Sequence, residues 1–442
     1  LAVDEKMYPL HDHIKLVFQE NKINQNSLLN CQEKGRIESN IENVLENLTF
    51  YSDISQDIQQ AIISYPSDLK EVIQYSLEEG KEKIDDLVIS LAGNMSAITG
   101  MGQSARSMVK TIESAKLKYK CFDVPNTFIE ENGIEDFDDP WLMGWYYPKA
   151  DLTISVINAD SFSFFQKVIP SSYWTAKKNI GYWIWETDQL PLQWESSAIA
   201  FDEIWTASEY SANAISKTIN KPVRVIPHII DFKKIDHILS NAPEQKVLRR
   251  KFSLPEDGFL FGFFFDPKSY MERKNPAAVI QSFQTAFPEQ QDTYLIFKVN
   301  GSFSSYEYEL LKSSVTDSRI IFLEESLCYN EVIKLMNCLD CYVSLHRGEG
   351  FGLTIAEAMA LGKPTIATAY SGNMEFMNSD NSLLVDYQLI KTERPYGPYP
   401  KGTVWADPDL KQASELMIEL YNNKDLYETI SVKARQSVEE QL

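Results

Sequence analysis

Two glutamates divided by seven residues, Glu349 and Glu357, lie in Ser344-Leu-His346-Arg-Gly-Glu349-Gly350-Phe351-Gly352-Leu353-Thr-Ile-Ala-Glu357-Ala-Met-Ala-Leu-Gly362-Lys-Pro364. A buried strand is expected to end near Ser344, with a glycine-rich turn after it. Gly350 and Gly352 allow the backbone to approach a ligand closely, and the free amides at the start of a helix from about Leu353 favour an anion. Gly362 and Pro364 are stop signals for that helix. Its sequence is apolar nearly all round, so Glu357 is expected to be buried. A buried carboxylate needs hydrogen-bond donors, and the hydroxyls of a ribose are suitable ones. Glu349 precedes the helix at the carboxyl end of the strand, where a reacting sugar has room. Spacing alone leaves a plainer reading open, in which Glu357 pairs with an arginine or a backbone amide and the glycines merely turn the chain.

The elements that must position these residues read as two series of strands alternating with helices. The first has strands at Leu87–Leu91, Leu152–Ile157, Asn179–Trp183, Glu203–Thr206 and Val223–Ile226, with helices at Ser104–Ala115 and Ser208–Lys217. The second has strands at Phe259–Phe265, Tyr294–Val299, Ile320–Leu323, Cys341–Leu345, Thr365–Ala367 and Leu383–Val385. Its helices are Pro276–Phe287, Glu331–Cys338, Leu353–Leu361 and Asp409–Tyr421. Short apolar strands alternating with helices predict parallel sheets covered on both faces, and ligands of such sheets bind beyond the strands' carboxyl ends. The expected organisation is a helical extension over 1–85, one doubly wound domain over 86–230 and a second over 231–442, facing each other across a cleft. Pro227 to Pro255 is the expected connection between the two.

Composition narrows the function classes. The chain has 442 residues with 63 acidic against 42 basic side chains, a net charge of −21. Such a surface repels phosphodiester backbones, so no nucleic-acid partner is expected. No apolar run reaches the roughly 20 residues needed to cross a bilayer. Five scattered cysteines form no disulfide framework and suit a reducing, cytoplasmic location. The chain begins at Leu1 with neither a Met nor a signal sequence, which suits a piece of a larger polypeptide with other domains.

The glutamate pair within Glu-Gly-Phe-Gly-Leu and Ala-Glu-Ala-Met-Ala-Leu-Gly-Lys-Pro resembles the signature of the retaining glycosyltransferases of family four, whose two Rossmann-like domains form the GT-B fold. Phe265-Asp-Pro-Lys-Ser-Tyr-Met-Glu-Arg273-Lys274-Asn-Pro276 resembles the family's basic loop, and Tyr370-Ser-Gly-Asn-Met374 the loop that closes over the donor. Gly181-Tyr-Trp183-Ile-Trp185-Glu186-Thr-Asp188-Gln-Leu-Pro191, Phe201-Asp-Glu-Ile-Trp205 and Pro227-His228 are similar to the amino-terminal domain of a bacterial subgroup that builds surface polysaccharides. The likeness covers about residues 86–442. It implies that Lys274 and Arg273 bind the donor diphosphate, that Glu357 binds the donor ribose, and that Glu349, lying against the donor sugar, is the foremost catalytic candidate, with Glu186 and His346 the others. Backbone amides at Gly350, Phe351, Gly352 and Leu353 would reach the sugar or phosphate, and Gly102, in Gly100-Met-Gly102, would face the phosphates. Glu186 stands where the family usually has a histidine near the acceptor, and His346 is a possible donor contact; a buried aromatic cluster and a core histidine are the plainer alternatives. Phe265-Asp266 replaces the usual Gly-Arg, which leaves the source of a second positive charge open.

The resemblance implies a metal-independent hexosyltransferase that keeps the anomeric configuration. Its substrates would be a GDP- or UDP-linked sugar and a glycan or lipid-linked oligosaccharide, with no separate cofactor. The alternative is a non-catalytic GT-B module that binds a glycan or a partner. Cys338-Leu-Asp-Cys341, Asp136-Phe-Asp138, Asp407-Pro-Asp409, His11-Asp-His13 and Asn47-Leu-Thr49 are discounted as metal sites or a glycosylation site.

Overall fold

A computed structural model describes residues 87–124, 150–169, 171–300 and 306–442. The expected helical extension, His11, His13, Asn47, Asp136 and Asp138 lie outside the described residues.

The first sheet contains β1 (Val88–Gly93), β2 (Lys118–Asp123), β3 (Leu152–Val156), β4 (Lys178–Tyr182), β5 (Glu203–Thr206) and β6 (Val223–Val225). They are ordered β2-β1-β3-β4-β5-β6, and every pairing is parallel. The second contains β7 (Phe259–Phe265), β8 (Thr293–Val299), β9 (Ile320–Leu323), β10 (Cys341–Ser344), β11 (Thr365–Thr368) and β12 (Leu383–Val385), ordered β12-β11-β10-β7-β8-β9, again all parallel. In β7, Phe-Leu-Phe-Gly-Phe-Phe-Phe is buried from Leu260 onward, as a strand with helices on both faces must be.

The two orders fix where a ligand can sit. Strand order reverses between β1 and β3 in the first sheet and between β7 and β10 in the second, and the crevice beyond such a point is the natural binding place in a doubly wound sheet. The loops after β7 and β10 are those holding Lys274 and Glu349.

Two parts of the sheets escape an apolar-run reading. β2 is an edge strand, Lys-Tyr-Lys-Cys-Phe-Asp, whose first half is polar and partly exposed. β13 (Tyr387–Lys391) and β14 (Val404–Pro408) form an antiparallel hairpin outside the parallel plan, and all of β13 is exposed.

The Gly100–Ser114 helix starts earlier than its sequence suggests. Thr99 caps it, its hydroxyl accepting from the Gly102 amide at 3.1 Å, so Gly100 and Gly102 belong to the first turn rather than to a loop. A Cβ on Gly102 would lie 2.1 Å from the Ala97 carbonyl oxygen and 2.8 Å from that of Asn94. Gly102→Ala should therefore lower stability by about 1–3 kcal/mol, the usual range for overpacking a rigid site, measured by denaturant unfolding. An unchanged midpoint would show that the preceding loop yields freely.

Candidate functional site

A cleft of about 1100 Å³ lies between the two sheets, lined by the loops after β1 and β3 on one side and after β7 and β10 on the other. On the second-sheet side the two loops are tied together. The Arg347 amide donates to the Arg273 carbonyl at 2.8 Å, Arg273 Nη1 donates to the Gly348 carbonyl at 2.8 Å, and Asn275 Nδ2 donates to the Leu345 carbonyl at 3.0 Å. Asn275 takes a left-handed φ of 56° to end the Met271–Lys274 turn and begin the Pro276–Ala286 helix.

Glu349 is the hub. Its carboxylate takes Lys274 Nζ at 2.5 Å and Arg273 Nη1 at 3.4 Å, and Arg273 Nη2 also reaches Glu186 Oε1, from the first sheet, at 3.6 Å. Burial pushes the Glu349 carboxyl up, but Lys274 and Arg273 outweigh it and hold it down at about 2, so it is ionised. Burial acts on Lys274 in the opposite sense, favouring loss of its proton, and Glu349 opposes that. The two expected phosphate cations therefore line the cleft while balanced by two carboxylates.

A further cation was missed from the sequence. Lys298, near the end of β8, lines the same cleft, is buried, and donates to Asn300 Oδ1 at 3.1 Å. Burial brings its ammonium down to about 8, against the pull of Asp266. The available signal was a lone lysine at the carboxyl end of an otherwise apolar strand, Thr-Tyr-Leu-Ile-Phe-Lys-Val.

Glu357 is buried on the Leu353–Ala360 helix, as its apolar neighbours require, and lines the cleft. Burial lifts its carboxyl to about 7, with Arg106 and Tyr329 drawing it only partway back. That helix has no side-chain cap; it opens from Gly352 at φ 94°, and the first turn, Gly352 to Thr354, faces the cleft. This is the arrangement in which free amides and the helix dipole meet an anion.

The glycines need a corrected reading. A Cβ on Gly350 would lie 2.3 Å from the Ile184 side chain, and one on Gly348 would lie 2.3 Å from the Glu186 carbonyl oxygen. Their missing side chains make room for Ile184 and for the Glu186 backbone, which follow β4 of the first sheet, although Gly350, Phe351, Gly352 and Leu353 all line the cleft. The fit is locked by Ser208 Oγ, which donates to the Gly350 carbonyl at 2.6 Å, and by the paired hydroxyls of Tyr210 and Tyr370 at 2.7 Å.

The remaining expected residues divide. Glu186 lines the cleft beside Trp185 and accepts from Tyr399 Oη at 3.0 Å, whereas Trp183 is wholly buried. Gly102 is not among the cleft residues; Gly100, Met101 and Gln103 are. His346 is fully buried and is not among the cleft residues. Burial takes it down to about 4, so it is neutral. Cys338 and Cys341 are buried, Asp407 pairs with Arg347 at 3.0 Å, and Asp409 caps the Leu410–Asn422 helix. Among the described residues no three His, Cys, Asp or Glu side chains gather as metal ligands do.

The raised Glu357 carboxyl makes a signed prediction. The fold favours the protonated form, so stability is fully present below about pH 4.5 and is lost as pH rises through 4.5 towards 7, by about 3 kcal/mol in all. Glu357→Gln should therefore gain Tm relative to the parent as pH rises from 4.5 to 8. Parallel Tm–pH curves for the two proteins would contradict it.

Comparison with known proteins agrees with this geometry. Residues 263–437 match the family model of glycosyl transferases group 1. The O-antigen biosynthesis glycosyltransferase WclY of Escherichia coli is 30% identical over 120 residues, which is 27% of this chain and 31% of that protein. The N-acetyl-alpha-D-glucosaminyl L-malate synthase of Bacillus anthracis is 22% identical over 239 residues, 54% of this chain and 55% of that one. The chain thus spans between about a third and about half the length of these curated relatives. HepE of Anabaena, solved in complex with UDP and glucose, superposes with a TM-score of 0.53 at 14% identity, over 80% of this chain and 95% of its own. Sucrose-phosphate synthase of Thermosynechococcus elongatus gives 0.54 at 14% identity, over 80% and 94%. These likenesses are of fold, and the fold is GT-B. Within that fold, residues 263–437 are the part of the chain similar to the glycosyl transferases of group 1.

Proposed function

We propose that the protein is a retaining, metal-independent glycosyltransferase that moves a hexose from a nucleotide sugar to a glycan acceptor in bacterial polysaccharide or glycoconjugate synthesis, at the cytoplasmic side. The observation that carries this reading is the placing of a buried carboxylate, an uncapped helix start and the cations Arg273, Lys274 and Lys298 around one cleft at the second sheet's reversal point. Residues 231–442 would hold the donor and 86–230 the acceptor.

In this reading the diphosphate lies on the Gly352–Thr354 helix start, with Arg273, Lys274 and Lys298 beside it. Glu357 accepts the ribose hydroxyls, which are the donors its buried carboxyl otherwise has in short supply. The anomeric C–O bond to phosphate breaks, a bond to the acceptor oxygen forms on the same face, and the acceptor's proton passes to the leaving diphosphate. Glu349 holds the cations in the empty cleft and positions the sugar once the diphosphate has taken them over; the chain contributes alignment and charge stabilisation rather than a covalent intermediate. That HepE was solved with UDP and glucose favours a UDP-linked donor over a GDP-linked one. A non-catalytic binding module is disfavoured because the glutamate pair and the cations are all in place.

A donor screen that follows nucleotide release, with and without oligosaccharide acceptors, should find turnover with a UDP-sugar. Glu349→Gln keeps the shape and should cut turnover by about 100-fold or more, and Lys274→Met should do the same. Glu349→Ala is the poorer variant, since it also removes the side-chain volume and the oxygen acceptor that Gln keeps beside Lys274 in a buried site. Full turnover in both conservative variants, or no nucleotide release with any donor, would overturn the reading.

A further inference from the structure

Between β12 and the Leu410–Asn422 helix the chain makes an excursion that the parallel plan does not need, the β13–β14 hairpin and its tip. The tip is closed by reciprocal backbone bonds between Tyr396 and Tyr399 at 2.9 and 3.0 Å. It crosses to the first sheet: Tyr399 packs on Trp185 with ring centroids 5.3 Å apart, joins the buried cluster of Trp183, Trp185 and Trp194, and donates to Glu186. The same tip holds Tyr270. Tyr399 meets the Tyr270 ring edge-on at 5.4 Å, and a Cβ on Gly397 would lie 1.9 to 2.3 Å from Tyr270 ring and hydroxyl atoms.

Tyr270 is an aromatic residue at φ 65°, a conformation that a bulky side chain adopts only where its surroundings impose it. It is more than a third exposed and lines the same cleft as Asp160, from the loop after β3, Glu186 and Arg273, the last already paired with Glu186 and Glu349. A half-exposed aromatic face in a cleft that also holds two carboxylates has the chemistry of a sugar subsite: the ring covers the apolar face of a pyranose and the carboxylates accept its hydroxyls. We infer that Tyr270, held by the hairpin tip at Gly397 and Tyr399, forms with Asp160 and Glu186 the subsite for an acceptor pyranose, and that this subsite takes neutral sugars and rejects uronic acids. The inference rests on the transferase reading for the word acceptor, whereas binding of the sugar itself does not.

Titration calorimetry separates the two. Methyl glycosides of glucose, galactose, mannose and N-acetylglucosamine serve as neutral probes and a methyl glucuronide as the anionic one, each added to UDP-saturated protein. At least one neutral glycoside should bind and the glucuronide should not. Tyr270→Leu, and separately Gly397→Ala, which displaces the ring without altering it, should weaken that glycoside about tenfold or more. Tyr270→Phe should retain most of the affinity, and Gly397→Ala should keep the parent's UDP affinity. Unchanged glycoside affinity in both disruptive variants, equal or preferential binding of the glucuronide, or UDP binding with no neutral glycoside bound overturns the subsite and leaves the donor reading standing. Failure to bind UDP at all counts against the donor reading instead, and glycoside binding by protein without UDP then still decides the subsite.

Discussion

Four charged side chains brought together across two sheets govern the arrangement of this molecule. Arg273 and Lys274 come from the loop after β7, Glu349 from the loop after β10, and Glu186 from the loop after β4. Ions largely withdrawn from water are tolerated only when paired, so each of these loops is pinned by the others. The loops in turn carry everything else the cleft uses: the helix start at Gly352 follows Glu349 directly, and the Tyr270 backbone lies one turn before Lys274. In the proposed reading a nucleotide diphosphate would offer the two cations a second anionic partner, phosphate taking over from the Glu349 carboxylate as the cleft fills.

Close approach is the second constraint, and it explains composition that chemistry alone does not. Gly348 and Gly350 leave space for Ile184 and the Glu186 backbone, and Gly372 does the same for Gly350, whose carbonyl oxygen would lie 2.3 Å from an added Cβ. The glycine-rich turn is thus a joint between the two sheets as much as a cradle. Ser208 shows the same economy, since its hydroxyl caps the Glu209–Ser216 helix and also binds Gly350 across the joint.

Much of this was legible in the sequence because burial on both faces writes itself as short apolar runs. β7, β8, β10 and β11 are readable that way, and the helix bearing Glu357 is marked by its apolar surround and its stop signals. What was not legible has physical reasons. β2 is a polar edge strand, and β13 is exposed along its length, so neither leaves an apolar run. Gly102 reads as part of a turn, yet its lack of a side chain serves packing against Ala97. Lys298 lies in a strand pattern that is scored for its apolar neighbours, and its cleft position follows only from the order of the strands. Nor does sequence spacing reveal that the Lys274 and Arg273 cations are held by Glu349 and Glu186, because the four residues are brought together by topology alone.

UDP affinity in two variants tests the exchange of carboxylate for phosphate most directly. If Lys274 and Arg273 release Glu349 to take up a diphosphate, Lys274→Met loses UDP affinity by tenfold or more while Glu349→Gln, which frees both cations, binds UDP at least as tightly as the parent. Loss of UDP affinity in Glu349→Gln together with parental affinity in Lys274→Met would contradict the account.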